Sequence, residues 1–253
     1  MSTTSNRDAV PVAPDAVRVW RGFRLESLDQ ATFFDKLGSI FIPGTVQIQA
    51  PVGLTAYMPS VLPAEKHPAA PDEIALVFYR VQQAYHDAKL TVGGRAYSDL
   101  HGLVFDLGRS LSGFPEKFAG EVAADGRYHL FDEPLDWQHG VVQTFVGVRR
   151  EGDGRFRERI AGWLGGVQRD GGPDGAIASA SDEYVVYWEH WPDEDAAEDS
   201  PIPGLADLVE PVYRERMEPT PMHHGLWEDY KGLEPPVGGG ESFNFQFGRH
   251  GAA

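Results

Sequence analysis

The feature that most limits how this chain can fold is an order of strand and helix patterns that occurs twice. Apolar residues alternate at the spacing of strands and helices, in the order strand, helix, strand, strand, helix. In the first half the segments are residues 17–25, 29–41, 54–60, 73–81 and 94–107. In the second half they are residues 141–149, 155–164, 176–180, 183–191 and 204–216, with a last strand at 241–247.

Short blocks of similar residues repeat in the same order as these patterns. Residues 20–24 match 145–149, an offset of 125, and residues 73–78 match 183–188, an offset of 110. The offset falls along the chain, which indicates insertions in the first copy. We interpret the halves as an internal duplication. The alternative is that two unrelated α+β stretches can be aligned in partial register.

The repeat divides the chain into a first unit at residues 16–140 and a second at 141–248. Residues 1–15 are expected to be a disordered leader and 249–253 a frayed tail. The last strand of the first unit is predicted at 127–131, after an insertion at 108–126. Within it, residues 111–125 are either a flap over a cavity or a purely structural excursion.

A β-α-β-β-α-β unit is the ferredoxin-like motif, in which helices cover one face of the sheet. Two such units can bury their open faces against each other around a shared barrel. On this topology and repetition, residues 16–248 resemble the dimeric α+β barrel superfamily, with both halves fused in one chain. The resemblance implies an α+β fold that binds a small aromatic or apolar molecule, or haem, against the sheet. Members include cofactor-free monooxygenases, polyketide cyclases, chlorite dismutases and aldoxime dehydratases.

Composition and missing motifs exclude several classes of function. The 253 residues include no cysteine, so disulfides and cysteine-ligated metals are excluded. A formal charge of −16 argues against nucleic acid as a partner. The chain contains neither an apolar run long enough to span a bilayer nor a glycine-rich phosphate-binding motif. With no secretory signal at its start, we expect a cytoplasmic location.

Alternation along the strands predicts which side chains line the cavity between the two units. On the first strand and its counterpart, we expect the set that mixes aromatic and polar groups to face the cavity, and the β-branched set to pack under helices. On the central strands, we expect the faces that carry Arg80 and His190 to point toward the cavity. The predicted substrate-binding residues on these strands are Trp20, Phe78, Gln143, Phe145, Tyr184 and Trp188.

Arg80 and His190 occupy matching ends of matching strands, each two residues after a large aromatic. Histidine exchanges protons near neutral pH, and arginine offers a fixed set of donors to an oxyanion. We therefore predict His190 as the group that moves a proton and Arg80 as the oxyanion partner, with His129 as a second catalytic candidate. The alternative is that Arg80 and His190 only meet solvent at the rim of the sheet.

Two further histidines have narrower predicted roles. His101, on a predicted helix, is the candidate axial ligand if the protein binds haem. The matching residues 207–211 contain no histidine, which argues against haem, and His101 is otherwise a packing residue. His224 follows His223 in a loop and is a candidate substrate contact. No metal site is predicted.

The sequence thus predicts an enzyme, an oxidoreductase or a lyase, that acts on an apolar or aromatic metabolite in the barrel cavity. The expected reaction is of the monooxygenase, cyclase or lyase type, without a cofactor. One alternative is a haem-dependent dehydratase, peroxidase or dismutase of the same fold. Another is a non-catalytic ligand-binding or scaffold protein whose barrel is filled by side chains. No membrane partner is expected, and a homo-oligomer is left open.

Overall fold

The computed structural model describes residues 11–217 and the backbone of residues 243–244. The elements of the first half are β1 (Val17–Gly22), α1 (Gln30–Lys36), α2 (Ile42–Gln49), β2 (Leu54–Val61), β3 (Glu73–Tyr79), α3 (Gln82–Leu90), α4 (Val92–His101) and β4 (Leu111–Gly113). They are followed by β5 (Glu116–Lys117), β6 (Asp125–His129), β7 (Val141–Val148), α5 (Phe156–Gly166), β8 (Gly175–Ser181), β9 (Tyr184–Trp191), α6 (Ile202–Ala206), β10 (Glu210–Met217) and β11 (Phe243–Asn244).

The strands form two sheets with the same internal order. The first sheet runs β11-β2-β3-β1-β4 and the second runs β10-β7-β9-β8-β6-β5. Counting within each half, four strands of both sheets follow the order fourth, first, third, second, and these strands pair antiparallel. This is the order of the ferredoxin-like unit. The predicted α+β class with two sheets is confirmed.

The predicted last strand of the first unit is wrong. That position in the first sheet belongs to β4, which pairs with β1 so that Leu111 lies opposite Arg21. The strand predicted at 127–131 corresponds to β6, which instead extends the second sheet by pairing with β8, Arg127 opposite Ser179. Residues 111–125 therefore contain β4 and β5 and are not a loop-like flap. Alternation predicts that a strand exists, but the partner is chosen by tertiary pairing.

The first helical segment continues beyond its predicted end. Asp29 caps it as expected, since its carboxylate accepts a hydrogen bond from the Thr32 backbone N–H at 2.7 Å. A π-helical turn, Leu37–Phe41, then leads into α2. Pro43 is tolerated there because the first turn of a helix does not use its N–H groups.

The helix predicted at 94–107 is found as α4, which Thr91 caps and which ends earlier, at His101; α3, which precedes it, was not predicted. One helix prediction is wrong. The predicted helix at 204–216 is instead the short α6 followed by β10. Pro211 removes a backbone donor that a helix interior requires, and β10 instead pairs with β7.

The two sheets pack face to face in one continuous hydrophobic cluster. It contains Val19 and Leu76 from the first sheet and Val146 and Val186 from the second, all buried. The rings of Phe23 and Tyr184 meet across the sheets at 6.2 Å. The other face of each sheet is covered by helices, as shown by Phe145 of β7, which packs in a second cluster with residues of α5.

The predicted cavity face was wrong by one residue on β1 and on β7. Residues directly opposite in an antiparallel pair share a face. Val19 lies opposite Leu76, so the β-branched set of β1 faces the second sheet and Trp20 faces the helices. Phe145 lies opposite Tyr187 and likewise faces the helices. Both faces of each sheet are buried, so polarity along the strand does not distinguish them.

None of the helices within residues 11–217 combines the length and the apolar character that crossing a bilayer requires.

Candidate functional site

Buried polar side chains cluster between the first sheet and the helices that cover it. We call this cluster the sheet–helix pocket. Its void has room for about one water molecule. The residues that line it are Arg18, Trp20, Phe41, Thr45, Tyr57, Val77, Tyr79, Tyr97 and His101.

The carboxyl group of Glu73 lies behind the wall of this pocket, hydrogen-bonded to two of the residues that line it. Glu73 is the first residue of β3 and is fully buried. Its two oxygens accept hydrogen bonds from Trp20 Nε1 at 3.0 Å and from the Tyr57 hydroxyl at 2.8 Å. No lysine, arginine or histidine within residues 11–217 forms an ion pair with it. The carboxyl is held by neutral donors only.

Burial therefore controls the ionisation of Glu73. It raises the pKa of the carboxyl from 4.5 to about 7, although the hydrogen bonds from Tyr57 and Trp20 favour the ionised form. Burial, and then the nearby Glu73 charge, raise the pKa of the Tyr57 hydroxyl well above its usual range. At neutral pH Tyr57 is a permanent donor, whereas Glu73 populates both its protonated and its ionised form.

Gly22 provides the space that brings Trp20 to Glu73. Gly22 lies opposite Glu73 in the β1–β3 pairing. A Cβ atom at this position would lie 2.5 Å from the Phe105 ring and 2.7 Å from Trp20 Nε1. An alanine would therefore push against both rings. A glycine is therefore required at this position by the close approach of the Trp20 and Phe105 rings.

His101 of α4 forms the opposite wall of the pocket. Its Nδ1 lies 3.2 Å from the Tyr97 carbonyl oxygen. Its ring packs edge-to-face against Phe41 at 4.7 Å, Tyr97 at 4.8 Å and Trp20 at 5.3 Å. Burial, followed by the positive charge of Arg18, lowers the pKa of His101 to about 4. The imidazole is thus neutral at pH 7, and if Nδ1 donates to the carbonyl, Nε2 is an acceptor.

The helical cover is tied down by a short chain of hydroxyl groups. The Thr45 hydroxyl donates to the Phe41 carbonyl at 2.9 Å and lies 2.6 Å from the Tyr97 hydroxyl. Burial raises the pKa of the Tyr97 and Tyr79 hydroxyls. Phe41, which lines the pocket, is the last residue of the π-helical turn. Such turns occur frequently at functional sites.

Arg18 supplies the positive charge of the pocket. Its guanidinium donates to the Ser112 hydroxyl of β4 and lies 4.5 Å from the centroid of the Tyr85 ring. The pocket thus combines a carboxyl that titrates near pH 7, neutral donors, a neutral imidazole, a cation and aromatic walls. Perturbed pKa values in one enclosed place are typical of active sites.

The structure does not bring the two predicted catalytic residues into one site. Arg80 is exposed, beyond the end of β3. His190 is buried on the face of β9 toward the first sheet, where its Nε2 contacts the His139 carbonyl and its Nδ1 lies 3.8 Å from the Asp174 carboxylate. Burial lowers the pKa of His190. Residues at matching positions of two facing sheets need not share one site, because each sheet ends at its own edge. One residue can be exposed there while the other is buried.

The other predicted residues lie in several different places. Phe78, Tyr184 and Trp188 are buried in the cluster between the sheets. The Gln143 amide donates to the Ala197 carbonyl at 2.7 Å on the helix side of the second sheet. At the end of β6, the His129 Nδ1 lies 3.0 Å from the Phe131 carbonyl oxygen. His223 and His224 lie outside the described residues, as does most of the predicted strand at 241–247.

The surroundings of His101 do not fit a haem group. A porphyrin bound to its free nitrogen needs a flat space beside the ring, and three aromatic rings stand within 5.3 Å of it. The void beside it accommodates about one water molecule. In the part of the chain that the structure describes, no group of three or more histidine, aspartate or glutamate side chains could hold a metal ion.

Four residues of the candidate site were not predicted from the sequence: Glu73, Tyr57, Arg18 and Tyr97. One signal was present: Glu73 opens a strand that is otherwise nearly all apolar, and a carboxylate is seldom buried without a purpose. Its donors come from two other strands, Trp20 from β1 and Tyr57 from β2. Strand pairing alone makes them neighbours.

Comparison with known proteins gives structural similarity only. No protein-family model matches the chain, and no curated protein matches it in sequence. A proposed monooxygenase from Fusobacterium nucleatum shares 13% identity over 95% of this chain and 99% of that one, with a TM-score of 0.37. A proposed monooxygenase from Lactobacillus acidophilus shares 10% over 82% and 91%, with a TM-score of 0.34. An anthrone oxidase-like protein shares 8% over 84% and 97%, with a TM-score of 0.33.

Proposed function

We propose that this chain is an enzyme that removes a proton from a small phenolic or enolic molecule, with Glu73 as the general base. The observation that carries the proposal is the fully buried Glu73 carboxyl, held by two neutral donors, with a pKa of about 7. A buried carboxylate that only supports the fold is normally paired with a cation. A base whose pKa lies near the working pH is suited to proton transfer.

The pocket residues take complementary roles in this reaction. Glu73 accepts the proton, and Trp20 and Tyr57 orient its carboxylate through their hydrogen bonds. The guanidinium of Arg18 stabilises the negative charge that develops on the substrate oxygen. His101, neutral at pH 7, accepts or donates a hydrogen bond without adding charge. The aromatic walls favour a planar ring and exclude water.

Substrate entry requires the cover of the pocket to move outward, because the void now has room for about one water molecule. The cover is formed by α4 and by the segment from α1 to α2. The π-helical turn Leu37–Phe41 interrupts that segment, and single π-turns inside α-helices are rare but occur frequently at functional sites. We infer that the turn is where the cover yields.

A monooxygenase-type reaction is the finer proposal, in line with the resemblance to cofactor-free monooxygenases. Anthrone is a suitable probe because its methylene carbon becomes acidic between two aryl rings. Glu73 takes a proton from that carbon, and the carbanion reduces O₂ and combines with it to form a peroxide anion. The peroxide anion takes the proton back from Glu73 to give a hydroperoxide, which loses water to leave a carbonyl. The balance is anthrone plus O₂ to anthraquinone plus H₂O.

Oxygen uptake by the full-length protein with anthrone tests this proposal. We expect the wild type to consume one O₂ per anthrone, as the equation requires. The Glu73→Gln variant should lose about 100-fold or more of the rate, since it cannot accept a proton. Glu26→Gln, the same change at an exposed residue, should retain it. A Glu73→Gln variant that keeps wild-type turnover would overturn the role of Glu73.

A second readout separates proton removal from oxygenation. Under nitrogen in D₂O, the wild type should accelerate deuterium exchange into the anthrone methylene group, and Glu73→Gln should not. If the wild type catalyses deuterium exchange but no oxygen uptake, Glu73 remains the proposed general base and the monooxygenase step is refuted. Neither exchange nor uptake above the uncatalysed rate would refute both for this substrate class.

We also infer that the two halves are copies of one module. The shared strand order supports this, as does the exchange of edge strands, β6 to the second sheet and β11 to the first. On this basis we propose that the two halves form a fused dimeric α+β barrel. By the repeat, Trp20 corresponds to Phe145 and Glu73 to Glu183, which is exposed. The position that matches Glu73 therefore has no buried carboxyl in the second half, which instead buries Glu189 of β9, a carboxyl whose pKa is also raised by burial.

A further inference from the structure

Two side chains that can lose an electron share the carboxyl group of Glu73. The Tyr57 hydroxyl donates to one of its oxygens at 2.8 Å, and the Trp20 indole N–H donates to the other at 3.0 Å. In a chain without cysteine, phenol and indole rings are the side chains that lose one electron most easily. A phenol that loses an electron becomes a strong acid. Tyr57 therefore has a proton acceptor within hydrogen-bonding reach, in a buried place.

The surroundings of Tyr57 couple the loss of an electron to the loss of the phenolic proton. Burial, and then the Glu73 charge, keep the proton on the neutral phenol by raising its pKa. An oxidised phenol that kept its proton would be a buried cation, which is costly. Transfer of the proton to Glu73 instead leaves a neutral radical beside a neutral carboxylic acid. Glu73 is available as the acceptor at neutral pH, because burial places its pKa at about 7.

A row of tyrosines connects this pair with the surface. Tyr57 of β2 and Tyr79 of β3 line the same void, which has room for about one water molecule. The Tyr79 ring lies 5.4 Å from the ring of Tyr85 on α3. Tyr85 is only partly buried, so an oxidant in solution can reach it. Electrons pass readily between aromatic rings this close together, and an oxidant at Tyr85 can therefore draw its electron from Tyr57.

We propose that Tyr57 is a redox-active tyrosine, which reduces an organic peroxyl radical at the surface and passes its phenolic proton to Glu73. The peroxyl radical gains one electron, which leaves Tyr57 by way of Tyr79 and Tyr85, and becomes a peroxide anion. The phenolic proton moves to the Glu73 carboxylate along their hydrogen bond. The products are the peroxide anion, the Tyr57 phenoxyl radical and the protonated Glu73, so one negative charge is present before and after. The step uses the same carboxyl as the reaction proposed above but needs no bound substrate.

Oxidation of the full-length protein by hexachloroiridate(IV), without any substrate, tests the proposal. This one-electron oxidant stays in solution, and rapidly frozen samples are examined by electron paramagnetic resonance. We expect a neutral tyrosyl radical in the wild type, with a spectrum that narrows when the protein is made with ring-deuterated tyrosine. Tyr57→Phe should lose this signal. Because anthrone is absent, the outcome does not depend on the oxygen-uptake experiment. No tyrosyl signal in the wild type would overturn the proposal.

Further variants locate the proton acceptor and the route. Glu73→Gln keeps the shape but is no base, so it should also lose the radical, which keeps the test decisive if Tyr57→Phe does not fold. Tyr85→Phe should slow the consumption of hexachloroiridate. Tyr128→Phe is the control, because Tyr128 is buried on β6 and its hydroxyl accepts from the Ala123 backbone N–H. A wild-type signal in folded Tyr57→Phe or Glu73→Gln would overturn the proposal, and a wild-type rate in Tyr85→Phe would refute the route.

Peroxyl radicals themselves test the proposed oxidant. An azo initiator that decomposes in air releases alkylperoxyl radicals, and these bleach fluorescein. We expect the wild type to delay the bleaching for longer than Tyr57→Phe does, with Tyr128→Phe equal to the wild type. Equal protection by the wild type and Tyr57→Phe would show that peroxyl radicals are not the oxidant.

Discussion

Relative to the wild-type protein, the Glu73→Gln variant gains about 3 kcal/mol of unfolding free energy between pH 4 and pH 8. The pKa of Glu73 rises from 4.5 in the unfolded chain to about 7 in the folded protein, and each pKa unit corresponds to about 1.4 kcal/mol. The contribution of this carboxyl to stability is therefore fully present below pH 4.5 and is lost as pH rises through 7. Glutamine has nearly the same shape and does not ionise, so the variant avoids this loss.

His101 produces the opposite dependence on pH in the same pocket. Its pKa falls from 6.5 to about 4 on folding. Its contribution is present above pH 6.5 and is lost as pH falls through 4. The two contributions nearly cancel between pH 4 and pH 7 in the wild type, so only the difference between the wild type and the variant reveals the Glu73 dependence.

Urea unfolding curves at several pH values, from 4 to 8, measure this difference. Glu26→Gln is the matched control, because Glu26 is exposed. Its difference from the wild type should stay constant over the same range. If the Glu73→Gln curve runs parallel to that of the wild type across this pH range, then the pKa of Glu73 is not raised in the folded state. The proposed role of Glu73 as a base near pH 7 would then fail too.

The Phe105→Ala variant loses about 4 kcal/mol of unfolding free energy. Phe105 is 0% exposed, and its ring packs against Trp20 at 5.1 Å, Phe41 at 5.2 Å and Phe33 at 5.8 Å. Truncation of a buried phenylalanine typically costs about 3–5 kcal/mol, because the lost transfer free energy is joined by the cost of a cavity. The neighbouring Gly22 has no side chain to fill that cavity.

Denaturant unfolding at pH 7 measures this effect. Leu107→Ala, two residues away at a side chain that is 56% exposed, serves as the control and should change stability by less than about 0.5 kcal/mol. A Phe105→Ala variant within about 1 kcal/mol of the wild type would show that these rings do not form a packed wall. In that case the close packing around Trp20 and His101 would also be in doubt.

Local patterns were sufficient for most elements of the fold. Alternating apolar residues located β1, β2, β3, β7, β8 and β9 within a few residues, and Asp29 marked the start of α1. These predictions succeeded because the periodicity of a strand or helix and the capping of a helix are properties of adjacent residues. Where adjacent residues were ambiguous, as around Pro211, the predicted helix was a strand.

The candidate site was largely missed because its residues are not adjacent in the sequence. Trp20 was predicted to line a cavity between the two sheets, and it does line a pocket, but this pocket lies between the first sheet and its helices. The prediction placed its partners across the two sheets. In the structure, its partner Glu73 lies on the neighbouring strand, and His101 approaches from a helix.

The amino-acid sequence alone determined the α+β class, the doubled order of elements and the absence of cysteine chemistry, since each follows from composition or from nearby residues. Only the tertiary structure decided which strands pair and which face of each strand meets the helices. A shift of one residue reverses the face of every side chain on a strand, and both faces here are buried. The neighbours of Glu73, and with them the proposed site, therefore depend on contacts between distant parts of the chain.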